Sequence, residues 1–258
     1  MSGRLAGSGA VRRVAGYAGA VVFVLVAWHL LALAIDSPAL PVPADALRDF
    51  ASGFADELLP HLVISVRRVL TALAIGVGIA MPLGLVLGRS PRLDAFVAPI
   101  VFLTYPVPKI TFLPVFLVLM GTGDTSKVAL ITLIVSFQII VTARDASRAI
   151  PAASVLSVRS LGADRWQVFR HVVVPGSLPG IFTALRLSIG HAIAVLFFSE
   201  TVAGTNGLGY VIMDAWARIQ YSEMFAGVLT MALLGVTLYE LVNLAEARVC
   251  RWTKVTSG

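Results

Sequence analysis

Long apolar runs separated by short polar punctuation dominate this chain. The first run, GYAGAVVFVLVAWHLLALAI, covers residues 16–35 and matches the roughly 20 apolar residues that a membrane-crossing helix needs. Arg4, Arg12 and Arg13 precede it, as in a signal peptide, and Ala32-Leu33-Ala34 resembles a cleavage site. The apolar run is longer than the about 7–15 residues of a signal core, so an uncleaved helix is expected. Further runs over about 62–87, 95–120, 127–143, 178–202 and 223–245 predict five more spans. Gly76, Gly78, Pro82 and Gly84 interrupt the second, and Pro106, Pro108 and Pro114 break the third. The pattern predicts an all-α fold, a polytopic membrane helical bundle of about six transmembrane helices with both termini on one side.

Composition agrees with that reading. Apolar residues make up 58% of the chain and charged ones 13%, with a mean hydropathy of +0.89. Soluble domains carry about 25% charged residues. A net charge of +6 would suggest nucleic acid for a soluble protein, but here the basic residues are explained by cytoplasmic loops, and no nucleic-acid partner is expected. With the N-terminus inside, the inner segments hold Arg4, Arg12, Arg13, Arg89, Arg92, Arg144, Arg148, Arg159, Arg165, Arg170, Arg248, Arg251 and Lys254. The outer segments hold Arg48, Lys127 and Arg218 beside many acids, among them Asp36, Asp45, Asp49, Asp56 and Glu57. That bias orients the chain with both termini cytoplasmic. One cysteine, Cys250, excludes an internal disulfide. His29, His61, His171 and His191 are scattered and form no metal-binding pattern, so no metal site is expected.

The largest inner segment, about residues 144–177, is too short to be a domain, and no linker or repeat divides the rest. Residues 1–258 therefore read as one transmembrane domain. Within the segment, RSLGADRWQVFRHVVVPGSLPG runs from Arg159 to Gly180. Residues 154–161 have helical character, and Gly162 suits a left-handed helix end. Asp164 and Gln167 have the spacing of a capping box for a second helix. That helix places Trp166, Phe169 and Arg170 on neighbouring turns. Pro175 and Pro179 mark the entry to the next span. On physics alone, two readings stay open: a loop lying on the lipid surface, or a docking element for a cytoplasmic partner with aromatic and arginine anchors.

The same residues resemble the EAA loop of permease subunits in binding-protein-dependent ABC importers. That pattern is E-A-A, three residues, glycine, nine residues, then I-x-L-P. Gly162 occupies the glycine, Pro175 the proline, and Val172 and Val174 the aliphatic positions. Leu156, Ser157 and Val158 stand where E-A-A would, so a contact through the glutamate is not carried over. YPVPKITFLPVFLVLMGTGDTSKV (105–128) and SETVAGTNGLGYVI (199–212) are similar to blocks of the nitrate/sulfonate/taurine branch.

The resemblance implies a type I ABC importer permease-like fold and a defined set of partners. These are two ATP-binding subunits on the cytoplasmic face, a second permease copy in a homodimer, an extracytoplasmic solute-binding protein and the lipid bilayer. It assigns Gly162 to the turn and Arg159, Leu161, Ala163, Asp164, Arg165, Trp166, Phe169 and Pro175 to ATPase coupling. The chain has no G-x-x-x-x-G-K-[ST] loop, so no cofactor is expected on it. ATP and magnesium act through the partner ATPase, and the chain is not itself an enzyme. Lys109 and Glu200 are candidates for the path of a small, anionic or sulfonate-like solute. Gly204, Gly207 and Gly209 read as a tight outer turn. An ion-gradient-driven secondary transporter is the competing function, though no internal repeat of the PVPK segment supports it.

Overall fold

Apolar side chains on every face mark helices surrounded by lipid or by other helices. The computed structural model describes residues 3–254, with side chains for 15–252 except residue 203. Arg4, Arg12, Arg13 and Lys254 of the charge pattern lie outside the described side chains. In chain order the helices are α1 (Gly3–Ile35), α2 (Pro43–Gly53), α3 (Leu59–Arg89), α4 (Pro91–Thr104), α5 (Leu113–Met120) and α6 (Asp124–Arg148). They continue with α7 (Ala152–Ser160), α8 (Arg165–Val168), α9 (Val174–Ala203), α10 (Leu208–Ala217) and α11 (Tyr221–Val249). Five stretches are long and apolar enough to cross a membrane, and a bent pair makes a sixth if it counts as one span.

Prolines shape the bundle in two different ways. Two π turns, Phe54–Leu58 and Phe169–Val173, each end two residues before a proline. The Leu59 N–H donates to the Phe54 carbonyl ahead of Pro60, and the Val174 N–H donates to the Phe169 carbonyl ahead of Pro175. A proline ring clashes with the carbonyl four residues back, and the wider π turn relieves that crowding. Helix therefore runs unbroken over Pro43–Arg89 and over Arg165–Val202. Pro175 and Pro179, expected at the entry to a separate span, sit inside a continuous helix instead. Around Pro106 and Pro108 the chain does break. There α4 turns by 85° into a 3-10 turn (Lys109–Phe112) and α5. The expected third span is thus two short helices.

At the centre of the bundle α6 lies between α3 and α9. The residues of α3 that face it are small and four apart: Ala72, Gly76, Ala80, Gly84 and Gly88. Without a hydrophobic drive between helices in lipid, close backbone approach supplies the contact. A methyl group at Gly84 would lie 2.6 Å from the Ile140 carbonyl oxygen, and one at Gly88 would lie 2.4 Å from that of Arg144. Val69, Leu130, Ile131, Val135, Ile139 and Leu196 fill the core around this seam. A second cluster of Leu85, Ala143, Val155, Val168, Val173 and Ile181 packs the 149–173 segment onto the bundle. The Asp94 carboxylate bridges to Arg144 at the same end, with the Arg144 Nη2 donating at 2.7 Å.

Near its C-terminal end, α1 is fastened to the bundle through Trp28. Trp28 stacks on Phe225 with ring centroids 5.3 Å apart, and its Nε1 donates to the Pro41 carbonyl at 3.0 Å.

The α3–α6 seam makes a direct prediction. Gly84→Val lowers stability by about 1–3 kcal/mol, the usual cost of overpacking a tight contact. Gly78→Ala, where a methyl group meets nothing within 4 Å, leaves it unchanged or slightly raised. Unfolding of the purified chain in mild detergent, followed by tryptophan fluorescence, compares the two.

Candidate functional site

At one end of the bundle the chain forms a stiff, exposed turn. α7 stops at Ser160, and Gly162 adopts φ +87°, the left-handed region that favours glycine. Its N–H donates to the Arg159 carbonyl at 2.9 Å. Asp164 then caps α8 with a complete capping box. The Gln167 N–H donates to Asp164 Oδ1 at 2.7 Å, and the Asp164 N–H donates to Gln167 Oε1 at 2.9 Å. Val155 and Val168 anchor the two short helices in the core.

What this frame presents outward is apolar. Leu161 is 86% exposed and Trp166 65%, and Trp166 stacks on the half-buried Phe169 with centroids 5.9 Å apart. Ala163 is half-buried at the base of the turn. Arg159, Arg165 and Arg170 are exposed around it and make no ion pair among the described residues. Pro175 is half-buried within the α8–α9 helix. The structure therefore gathers Arg159, Leu161, Gly162, Ala163, Asp164, Arg165, Trp166 and Phe169 at one turn, and places Pro175 beyond it, within the helix.

The opposite end of the same helix holds the other predicted residue, Glu200, in a different setting. Glu200 is 0% exposed and Arg68 2%. Glu200 Oε1 accepts from Arg68 Nη1 at 2.7 Å and from Ser65 Oγ at 2.8 Å. Its Oε2 accepts from the Gly209 N–H at 2.8 Å, at the start of α10. Arg68 also donates through Nε to Asp124 Oδ1 at 2.8 Å, and through Nη1 to the Asn206 carbonyl at 3.1 Å. Its Nη2 reaches the Asn206 side chain, and Arg67 pairs with Asp124 from the exposed side. His61 Nδ1 accepts from the Gly207 N–H at 2.9 Å, and Ser65 Oγ from the Leu208 N–H at 3.0 Å.

Gly207 has φ +103°, and a methyl group there would lie 2.3 Å from the Glu200 carboxylate. The glycine-bearing loop is the tight turn its sequence suggested, folded over one buried carboxylate. Lys127, counted among the outer basic residues, is buried beside this network and donates to the Thr122 carbonyl at 2.6 Å.

Lys109 lies at the helix break. Its Nζ donates to the carbonyls of Thr104, Tyr105 and Val107 at 3.1, 3.0 and 3.4 Å. Two of these groups end α4, where the helix dipole favours a cation. The Phe137 ring lies 4.4 Å away. Lys109 and Glu200 thus occupy separate places, one beside a hollow and one inside a closed network. The structure does not bring them together.

Residues 80–253 match the family model described as "Binding-protein-dependent transport system inner membrane component". The chain belongs to this family. It is 31% identical over 238 residues to the taurine transport system permease protein TauC of Escherichia coli (strain K12), covering 90% of this chain and 86% of that one. It is 28% identical over 225 residues to a Bacillus subtilis (strain 168) protein provisionally named as the aliphatic sulfonates transport permease SsuC, covering 87% of this chain and 82% of that one. Its fold is similar to a chain of the inward-facing MetNI methionine ABC transporter, with a TM-score of 0.59, 24% identity and coverage of 75% and 94%. The resemblance drawn from the three sequence blocks is confirmed at the level of family and branch. The protein is an ABC transporter permease and a multi-pass membrane protein.

Sequence reasoning missed Ser65 and Arg68 as partners of Glu200, and His61 and Asn206 as members of the network around them. One signal was available: His61, Ser65 and Arg68 are spaced i, i+4, i+7, which puts three polar residues on one face of an apolar helix. Asp124 and Asn206 gave no such signal, because their role arises from chain segments 56 and 138 residues distant from Arg68.

This network is expected to govern stability in the permease. Arg68→Met leaves Glu200 buried without its cation and lowers unfolding stability by about 3–5 kcal/mol. Arg68→Met combined with Glu200→Leu recovers part of that loss, because the uncompensated carboxylate is gone. Thermal unfolding of the single and double variants measures both.

Proposed function

We propose that this permease passes a small anionic, sulfonate-like solute inward, driven by ATP hydrolysed on two partner subunits. The observation that carries this reading is the protruding 159–169 turn. It is rigid in its backbone yet offers Leu161 and Trp166 to a partner, and large exposed apolar anchors flanked by arginines are what a docking interface uses. In this reading Arg159, Leu161, Ala163, Arg165, Trp166 and Phe169 contact the ATPase. Gly162 and Asp164 hold the turn's shape, and Pro175 sets the π turn where the protrusion joins the span.

The continuous helix over Arg165–Val202 gives the coupling a mechanical route. It carries the turn at one end and Glu200 near the other, and its 38 residues span about 57 Å at 1.5 Å per residue. A push at the turn moves the outer network with it. The permease functions as a homodimer fed by an external solute-binding protein, with both termini in the cytoplasm of a prokaryote. The skew of arginines toward the turn's side supports that orientation. The sulfonate class is supported by the names of the two relatives and by the cationic Lys109 at the helix break.

Co-purification in mild detergent tests the docking. The parent chain is expected to bring down an ATPase whose activity is measurable in the eluate. Gly162→Asn keeps the left-handed turn and retains the partner. Gly162→Pro removes both the positive φ and the N–H donated to Arg159, and loses at least tenfold of it while the membrane domain stays folded. Equal recovery with all three chains contradicts docking at this turn.

A further inference from the structure

The hollow beside the helix break carries more polar chemistry than its apolar walls require. A cavity of about 300 Å³ lies among residues 105–110, α6 and α9, at the lower end of the range for small-molecule sites. Tyr105, Lys109, Gln138, Ser188 and His191 line it together with apolar Ile110, Ile134, Val135 and Phe137. Ser188 is 0% exposed, and its hydroxyl has no hydrogen-bond partner. Hydroxyls in helices commonly turn back to the carbonyl four residues earlier, as Thr142, Thr183 and Thr230 do in this chain. Ser188 does not. The Gln138 side chain likewise makes no hydrogen bond among the described residues. His191 Nδ1 lies 3.0 Å from the Leu187 carbonyl, which places a hydrogen on Nδ1 and leaves Nε2 facing other chemistry.

These groups define what fits. No aspartate or glutamate lines the cavity, so Lys109 carries the one formal charge among the carboxylate, ammonium and guanidinium groups that line it. Lys109 already spends its hydrogens on three backbone carbonyls, so what it offers the hollow is chiefly its charge. In a water-poor setting that charge acts strongly on an opposite one. The Ser188 hydroxyl and the Gln138 amide are donors suited to oxygens that carry no hydrogen. The Ile110, Ile134 and Val135 side chains suit a short carbon tail. A buried hydroxyl left unsatisfied is costly in the empty state, and a bound acceptor removes that cost.

We propose that this cavity is an anion-binding site within the permease, taking the sulfonate-type headgroup of a small organic solute, with Lys109, Ser188 and Gln138 as its recognition residues. The proposal deepens the importer reading and rests on it for the direction of transport. The binding itself is independent of any ATPase.

The test is equilibrium binding of radiolabelled ethanesulfonate to the full chain in lipid nanodiscs, without ATPase or binding protein. Saturable binding is expected, displaced by unlabelled ethanesulfonate but not by neutral ethyl methyl sulfone or by ethylammonium. Ser188→Ala and Gln138→Leu each weaken it, by about tenfold for a lost hydrogen bond to a charged group. Ser188→Ala does so with an unchanged or higher thermal midpoint, which a merely structural serine would not show. Lys109→Met abolishes binding, and Lys109→Arg, which keeps the charge should the methionine variant misfold, retains it. Absence of saturable binding, equal displacement by the neutral sulfone, or unaltered affinity in Ser188→Ala and Gln138→Leu overturns the site. ATPase recruitment by the same chains is scored separately. Recruitment without anion binding refutes the site and leaves the importer reading standing; anion binding without recruitment supports the site and refutes the importer reading.

Discussion

Arg68 and Glu200 meet where neither reaches solvent, and this end of the bundle is arranged to keep both satisfied. A charge removed from water without compensation is among the most costly things a fold can contain. The constraint therefore reaches well beyond the pair. Ser65 and the Gly209 N–H complete the shell of the carboxylate, while Asp124 and Asn206 complete that of the guanidinium. Through them α3, α6, α9 and the loop into α10 share one fixed geometry. Gly207 belongs to the same requirement, since any side chain there would occupy the carboxylate's position.

The other end of the α8–α9 helix obeys a different logic. There the backbone is satisfied locally, by the capping box of Asp164 and Gln167 and by the left-handed Gly162, so the turn keeps its shape without being buried. Its side chains remain available to a partner. The π turn at Phe169–Val173 lets Pro175 sit in the helix without breaking it, which joins the exposed turn to the buried network. One continuous helix thus carries an exposed apolar turn, the proposed docking surface, at one end and a closed charge network at the other. That division suits a subunit that receives force on one side of a membrane and delivers it on the other.

Much of this was legible in the residues because membrane helices impose long-range patterns on the sequence. Apolar length gave the spans, Gly162 with Asp164 and Gln167 gave the turn, and the prolines around Lys109 gave the break. The spacing from Gly162 to Pro175, with the two other blocks, gave the family. Where the reading fell short, the information was not local. The residue type alone does not say whether a proline breaks a helix: Pro60 and Pro175 each follow a π turn, Pro82, Pro99 and Pro179 sit within α-helices, and the chain breaks around Pro106 and Pro108. The small-residue row of α3 was visible only as scattered glycines until its partner α6 was in place. Glu200 was picked out as a polar residue at a span's end, but its partner Arg68 comes from 132 residues earlier, and no spacing rule connects them.

The most direct test of the mechanical route is a distance along the rod. Spin labels at Ser160→Cys and Thr205→Cys, both exposed positions outside the proposed docking set, mark the turn and the loop before α10 of one chain, with Cys250→Ala to remove the native thiol. Labelled chains diluted with unlabelled ones, assembled with the partner ATPase, report the intrachain distance with and without ATP. A distance constant to within about 2 Å, while labels on different chains move apart or together, is the result expected of a rigid helix that carries motion outward. An intrachain distance that changes by more than one helical turn, about 5.4 Å, would show the helix bending at its π turn and would contradict transmission through α8–α9.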